Sequence, residues 1–305
     1  VQATLRHAVQ FSGTGLHSGR AVRMTVAPQA VSMGIWFRRT DRPDAPMIPA
    51  RYDAVSDARL CTRLRGEDGT EVSTVEHIMA ALAGCGIHNA LVELDGPETP
   101  ILDGSAAPFA RAFLGAGVQR QSAPVHALEI LAPVTVSDRE ATATLGPAPG
   151  LFIDFTIDFA DAAIGRQRRV ANMANGHFVR VLSDSRTFCR KSDVDAMRAA
   201  GLALGGTYDN AVVVDGARIL NPGGLRHADE AVRHKMLDAL GDLALAGAPI
   251  LGRYTAVRAG HMLTNKLLRA LFATPGAYRL VECTPRQAAR LPGVGVAPAD
   301  LARVA

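Results

Sequence analysis

Twice along this chain a set of short segments with strand-like alternation gives way to helical stretches, and that duplication limits the fold more than any single motif does. In the first half, 21–27 ("AVRMTVA") and 34–38 ("GIWFR") alternate as half-buried strands do. "VEHIMAALAGCG" reads as a helix, with Ser73 or Thr74 as its cap and the glycines at 84 and 86 as its stop. "NALVELDGP" reads as a strand entering a turn, and "SAAPFARAFLGAG" as a second helix. In the second half, strands are expected at "HALEIL", "PVTVSD", "ATATLG" and "LFIDFTIDF". After polar, breaker-containing residues, "RTFCRKSDVDAMRAAG" reads as a helix and "NAVVVDG" as an apolar strand. A helix over 230–243, a strand at "YTAVRAG" and a final helix at "HMLTNKLLRALFATPG" complete the pattern. Strands followed by a helix pair in each half predict two similarly built α+β domains, 1–122 and 126–305, with the linker in "RQSAPV" (120–125).

Composition narrows the function. A length of 305 residues suits two domains, and 48% hydrophobic with 20% charged residues describes a globular chain. No apolar run approaches the roughly 20 residues that span a bilayer, and no signal-like h-region opens the chain, so a cytoplasmic monomer without stable membrane insertion is expected. Cys61, Cys85, Cys189 and Cys283 are scattered without a C-x-x-C pair. That suits a reducing compartment and argues against a disulfide framework or a cysteine-based zinc site. Any metal must then be held by histidine and carboxylate. The net charge of +4 favours an anionic ligand such as a phosphate or nucleotide. Without arginines interleaved with aromatics, it does not indicate nucleic acid.

The stretch "EAVRHKMLDALGDL" (230–243) concentrates the chemistry. Side chains four apart share a helix face, so His234, Lys235, Asp238 and Asp242 fall within one quadrant. Met236, Ala239, Leu240 and Leu243 lie opposite. Two readings fit: a solvated polar face with an i,i+4 pair, or part of a metal site, since imidazole and carboxylate are zinc ligands. Glu76–His77 in "STVEHIMAAL" and His261 in "RAGHMLTNK" are equally ambiguous alone, because a histidine near a helix start is commonly structural. There is no H-E-x-x-H, so this is not a zincin.

Together the residues are more specific. An open catalytic zinc takes three protein ligands, which His77, His234 and Asp238 would supply. Glu76, next to one ligand, could act on water as a general base. Lys235, next to another, could neutralise an oxyanion. His261 paired with Asp242 would be a protonated imidazole able to donate to a leaving amine, because a carboxylate partner raises the imidazole pKa. The set suits hydrolysis of an amide.

The sequence resembles the bacterial UDP-3-O-acyl-N-acetylglucosamine deacetylases, zinc amidases of lipid A synthesis, almost from end to end. The resemblance runs through "GTGLHSG" (13–19), "STVEHIMAALAG" (73–84), "PILDGSAAPF" (100–109), "DFTIDF" (154–159) and "SRTF" (185–188). It continues through "GLALGG" (201–206), "VRHKMLDALGDL" (232–243) and "GHMLTNKLL" (260–268). The resemblance implies zinc on His77, His234 and Asp238, with Fe²⁺ an alternative occupant of such a site. It implies Glu76 as base, His261 as acid and Asp242 as its orienting group, with Lys235 and Thr187 on the substrate carbonyl. It also implies helices packed between the two sheets, with the active site where the domains meet.

The implied substrate is a small molecule, a UDP-glucosamine bearing a 3-O-hydroxyacyl chain. Phe159 stands where the family stacks uracil, with a core phenylalanine the other reading. Phe188 belongs with the substrate contacts, and Lys235 and Arg258 could face the diphosphate. The segment 189–219 matches the family's acyl-binding insert, with Val194, Leu202, Ala203, Ala211 and Val213 as candidate lining; "NAVVVDG" reads equally as buried core. The chain departs from the family at "DREA" (138–141), where a lysine is frequent and Arg139 is the nearest cation, and at Ala203, a cysteine in some relatives. A different metal-dependent amidohydrolase and a non-catalytic sugar-nucleotide or nucleic-acid binding protein remain as competing readings.

Overall fold

The strand Ala21–Pro28 buries Val22, Met24 and Val26 and turns the residues between them outward, which commits one face of its sheet to the interior. The computed structural model describes residues 1–297 and 299–300. That strand joins a five-stranded sheet ordered Val9–Thr14, Ala21–Pro28, Ala90–Leu94, Ile35–Arg39 and Ile48–Pro49. A second sheet of seven strands is drawn wholly from the second half of the chain. Its centre is Ile250–Val257, flanked by antiparallel Ala141–Pro147 on one side and by parallel Leu151–Asp158 and His126–Ile130 on the other. The fold is α+β.

The helices are α1 (Glu76–Gly84), α2 (Ala107–Ala116), α3 (Lys191–Ala199), α4 (Glu230–Ala244), α5 (His261–Ala273) and the short α6 (Pro285–Ala288). α1, α2, α4 and α5 contribute to the core, whereas α3 and α6 bury no residue. α1 packs directly on α4, α2 on Val9–Thr14, α4 on Leu151–Asp158, and α5 on Val134–Asp138 and Ala141–Pro147. One continuous core runs through both halves, with Ile78 and Met79 of α1 and Leu237 and Leu240 of α4 in the same cluster. Among the described residues, no helix is long and apolar enough to cross a membrane.

Several sequence expectations change. Neither Ser73 nor Thr74 caps α1: the Ser73 hydroxyl accepts from Arg63 and the Thr74 hydroxyl donates to Glu98, leaving Val75 at the cap position. The helix expected over 186–201 starts only at Lys191, because Phe188–Arg190 pairs as a strand with Val212–Asp215. The polar stretch after Phe159 contains the edge strand Arg166–Asn172. α5 is not the final helix, since Tyr278–Glu282 and α6 follow it, α6 opened by a capping box between its N-cap Thr284 and Gln287.

Candidate active site

Every residue of α1 except Ala83 is buried, so Glu76 and His77 in its first turn enter the interior with it. α4 can meet that turn closely because Gly241 has no side chain. A Cβ there would overlap the Glu76 carbonyl oxygen and stand 2.9 Å from its carbon. The close crossing brings His77 against His234 and Asp238, and the polar quadrant of α4 faces this contact. His234, Asp238 and Asp242 are 2%, 4% and 3% exposed, which removes the solvated-face reading.

The three candidate ligands converge. His77 Nε2 lies 3.6 Å and His234 Nε2 3.2 Å from Asp238 Oδ1, and all three donor atoms fall within 4.8 Å of one another. A tetrahedral zinc with bonds near 2.0–2.1 Å sets its ligand atoms about 3.3 Å apart, so these separations fit a cation with little movement. Asp238 Oδ1 is also buried without a hydrogen-bond partner, a costly arrangement that a cation would relieve. His234 Nδ1 is 2.9 Å from the Ser185 carbonyl. A carbonyl only accepts, so Nδ1 carries the proton and Nε2 presents its lone pair toward the cluster.

Around the trio stand the other ionisable groups. Burial pushes the Glu76 carboxyl up to about 7, opposed by His261 and reinforced by Asp238 and Asp242. Burial works against the charged form of His261, but Asp242, with Glu76 and Asp238, lifts it to about 9. Its Nδ1–H donates to Asp242 Oδ2 at 2.8 Å, and its Nε2 lies 3.9 Å from Glu76 Oε1. Burial likewise opposes ionisation of Asp238, yet His234, Lys235 and His261 hold it well below the usual carboxylate range. Lys235 Nζ donates to Asp238 Oδ2 at 2.8 Å; burial disfavours its charge, but Asp238, Asp242 and Glu76 keep it cationic. A carboxyl, an imidazole and an ammonium thus ring one candidate cation site.

The outer candidates divide. Phe159 meets Phe188 edge-to-face at 5.4 Å, and Phe188 meets His234 at 6.3 Å, so an aromatic path leads to the three candidate ligands. Thr187 is half-buried beside them, its backbone N–H donating to the Gly104 carbonyl. Arg258 pairs with Asp158 and Glu140 on the rim. Arg139 sits in the hairpin turn between Asp138 and Ala141. The segment 189–219 contains α3 and the parallel strands Phe188–Arg190 and Val212–Asp215. Val213 lies half-buried on the face opposite the buried Val212 and Val214; Ala203 and Ala211 are buried, and Val194 and Leu202 half-buried.

Three residues that the sequence reading did not single out also bear on the site. Glu98, 2% exposed, accepts from the backbone N–H groups of His17 and Ser18 and from the Thr74 hydroxyl, tying the 13–19 turn to the entry of α1. His17 lies within electrostatic reach of His261, its own charge disfavoured by burial and its Nδ1 buried without a partner. Thr62 contacts both Glu76 and Asp242.

A family model described as UDP-3-O-acyl N-acetylglycosamine deacetylase matches residues 2–273. Proteins named UDP-3-O-acyl-N-acetylglucosamine deacetylase from Shewanella oneidensis and Shewanella baltica are each 46% identical over 283 residues, covering 92% of this chain and 92% of each relative.

Proposed function

The chain belongs to the UDP-3-O-acyl-N-acetylglucosamine deacetylase family, and from that premise we propose that its buried cleft hydrolyses the acetamide of such a sugar nucleotide to a free amine and acetate, a step of lipid A synthesis. The observation that carries the chemistry is the meeting of a base, an acid and a three-donor cation site within one buried contact of α1 and α4. His77 Nε2, His234 Nε2 and Asp238 Oδ1 would hold a zinc ion, with Fe²⁺ compatible with the same donors. The cation when bound would polarise the acetamide carbonyl and make water acidic enough to be a nucleophile at neutral pH.

The chain's own groups move the protons. Glu76, through Oε1, takes a proton from the attacking water. His261 Nε2 gives a proton to the amide nitrogen as the carbon–nitrogen bond breaks, so the sugar leaves as an amine rather than an amide anion. Asp242 holds the imidazole by Nδ1–H and keeps it charged until that transfer. Lys235 and Thr187 would face the carbonyl oxygen as negative charge develops. Phe159 and Phe188 would receive the uracil, Arg258 the diphosphate, and the 189–219 insert the acyl chain. The two units, 1–122 and 126–305, would meet at this cleft.

Release of acetate from the UDP-acyl-sugar, measured with metal content on reconstituted protein, tests the reading. His77→Ala and His234→Ala should lose metal affinity and turnover together, by about 10²-fold or more in rate. Full metal content with parental turnover in either variant would remove that residue from the ligand set.

A further inference from the structure

Thr62 is 1% exposed and lies just ahead of the strand Arg63–Arg65. Its backbone N–H donates to Glu76 Oε2 at 3.0 Å, and its hydroxyl donates to Asp242 Oδ1 at 2.6 Å. Asp242 stands 180 positions away in the chain. The residue is itself fixed to the entry of α1, because the Val75 N–H donates to the Thr62 carbonyl at 3.3 Å.

A carboxylate has two oxygens, and in this cleft only one of each pair can do the work assigned to it. Thr62 occupies Oε2 of Glu76, which leaves Oε1 toward His261 Nε2. It occupies Oδ1 of Asp242, which leaves Oδ2 for His261 Nδ1–H. We propose that Thr62 is a positioning residue that sorts the carboxylate oxygens of the general base and of the acid's partner, setting the two proton-transfer groups at a fixed separation across the cleft. The proposal rests on the acid–base roles given above. The hydroxyl spends its one proton on Asp242, whose Oδ1 accepts it while Oδ2 accepts from the imidazole. Without the hydroxyl, Oδ1 would be a buried acceptor with no donor, and the carboxylate would be free to rotate away from His261.

Thr62→Val keeps the shape and the N–H to Glu76 but removes the donor to Asp242. Thr62→Ser keeps both. In the metal-loaded T62V protein, kcat should fall about 10- to 100-fold, with KM changed by no more than about twofold, and T62S should recover most of the rate. Metal content should equal that of the parent in both. The downfield proton NMR signal of His261 Nδ1–H should move or broaden in T62V and return in T62S. If T62V does not fold, Thr62→Cys, a near-isostere with a far weaker donor, carries the same expectation. Parental kcat in the valine variant, equal losses in valine and serine, or a raised KM with kcat retained would each overturn the proposal. Glu76→Gln and His261→Ala measured alongside separate the failures. If those two are inactive while T62V is active, only the role of Thr62 falls; if they turn over normally, the acid–base reading falls first.

Discussion

Replacing Gly241 with alanine should destabilise the protein and loosen the proposed metal site together, although alanine is the better helix former. In a helix interior Gly→Ala gains about 1 kcal/mol from propensity alone. Against this, the new Cβ would overlap the Glu76 carbonyl oxygen and lie 2.9 Å from its carbon and 3.1 Å from the Ala80 nitrogen. Carbon pairs rest at roughly 3.5–4.0 Å, so the carbon contact alone requires α1 and α4 to part by at least roughly 0.6–1.1 Å at this crossing, and the overlap with the oxygen requires more. The obstacle is helix backbone, which cannot swing aside as a side chain could. Overpacking of this kind costs about 1–3 kcal/mol, and a backbone clash belongs in the upper half of that range. The net expectation is a loss of about 1–2 kcal/mol. Metal distances tolerate only about 0.2 Å, so affinity should fall by at least about tenfold as His77 withdraws from Asp238. Urea unfolding of the metal-stripped protein reads the first effect, and competition with a chelator the second. A G241A protein at least as stable as the parent, with the same metal affinity, would refute the claim that this close crossing assembles the site.

Two further outcomes follow from the same geometry. In metal-free protein, Glu76 (about 7) and His261 (about 9) both stand above their unfolded values, so their contribution to stability is lost as pH rises through those pKa values. His77, held below its ordinary value by burial, acts below about pH 6.5 and leaves that window alone. The urea midpoint should fall from pH 7 to pH 9, and fall less in His261→Ala; a flat or rising midpoint in the parent would contradict this. On the substrate side, each buried acyl methylene contributes up to about 0.8 kcal/mol, so removing a ten-carbon chain should lower kcat/KM by at least about 10²-fold after ordering costs. Ala211→Trp should harm the long-chain substrate far more than UDP-N-acetylglucosamine, and equal efficiency of the parent on both would refute the acyl-site assignment.

The parts of the fold that were legible in the sequence are those with a local period. The strand Ala21–Pro28 and helices α2 and α5 appear where alternation and glycine stops put them. Arg166–Asn172 was missed because its sequence, "RQRRVAN", looks like a solvated stretch. It is an edge strand whose outward positions carry charge, with Arg168 paired to Asp154 on the neighbouring strand. The site shows the same division. Steps of four along α4 placed His234, Asp238 and Asp242 together, but that spacing is common to an exposed face and a buried cleft. The choice between them lies in Gly241 and α1, more than 150 residues apart in sequence and joined only by packing. Thr62 in "RLCTRL" carries no periodic signal, since both its partners come from other elements.

The charge balance of the cleft bears on how Glu76, its carboxyl pushed up to about 7, could serve as the proposed base. Asp238 and Asp242 face Lys235 and His261; the two carboxyls and the imidazole are buried and Lys235 is half-buried. Glu76 is the fifth ionisable group, and burial, opposed by His261, pushes its carboxyl up to about 7. Asp238 Oδ1 is the matching gap, a buried acceptor without a donor. Positive charge placed on His77, His234 and Asp238 would answer both at once, satisfying Oδ1 and drawing Glu76 toward its ionised form. On the proposed roles, Glu76 would be a stronger candidate for the ionised base with a cation on the three donors than without one. That would tie the acid–base chemistry to the cation through electrostatics.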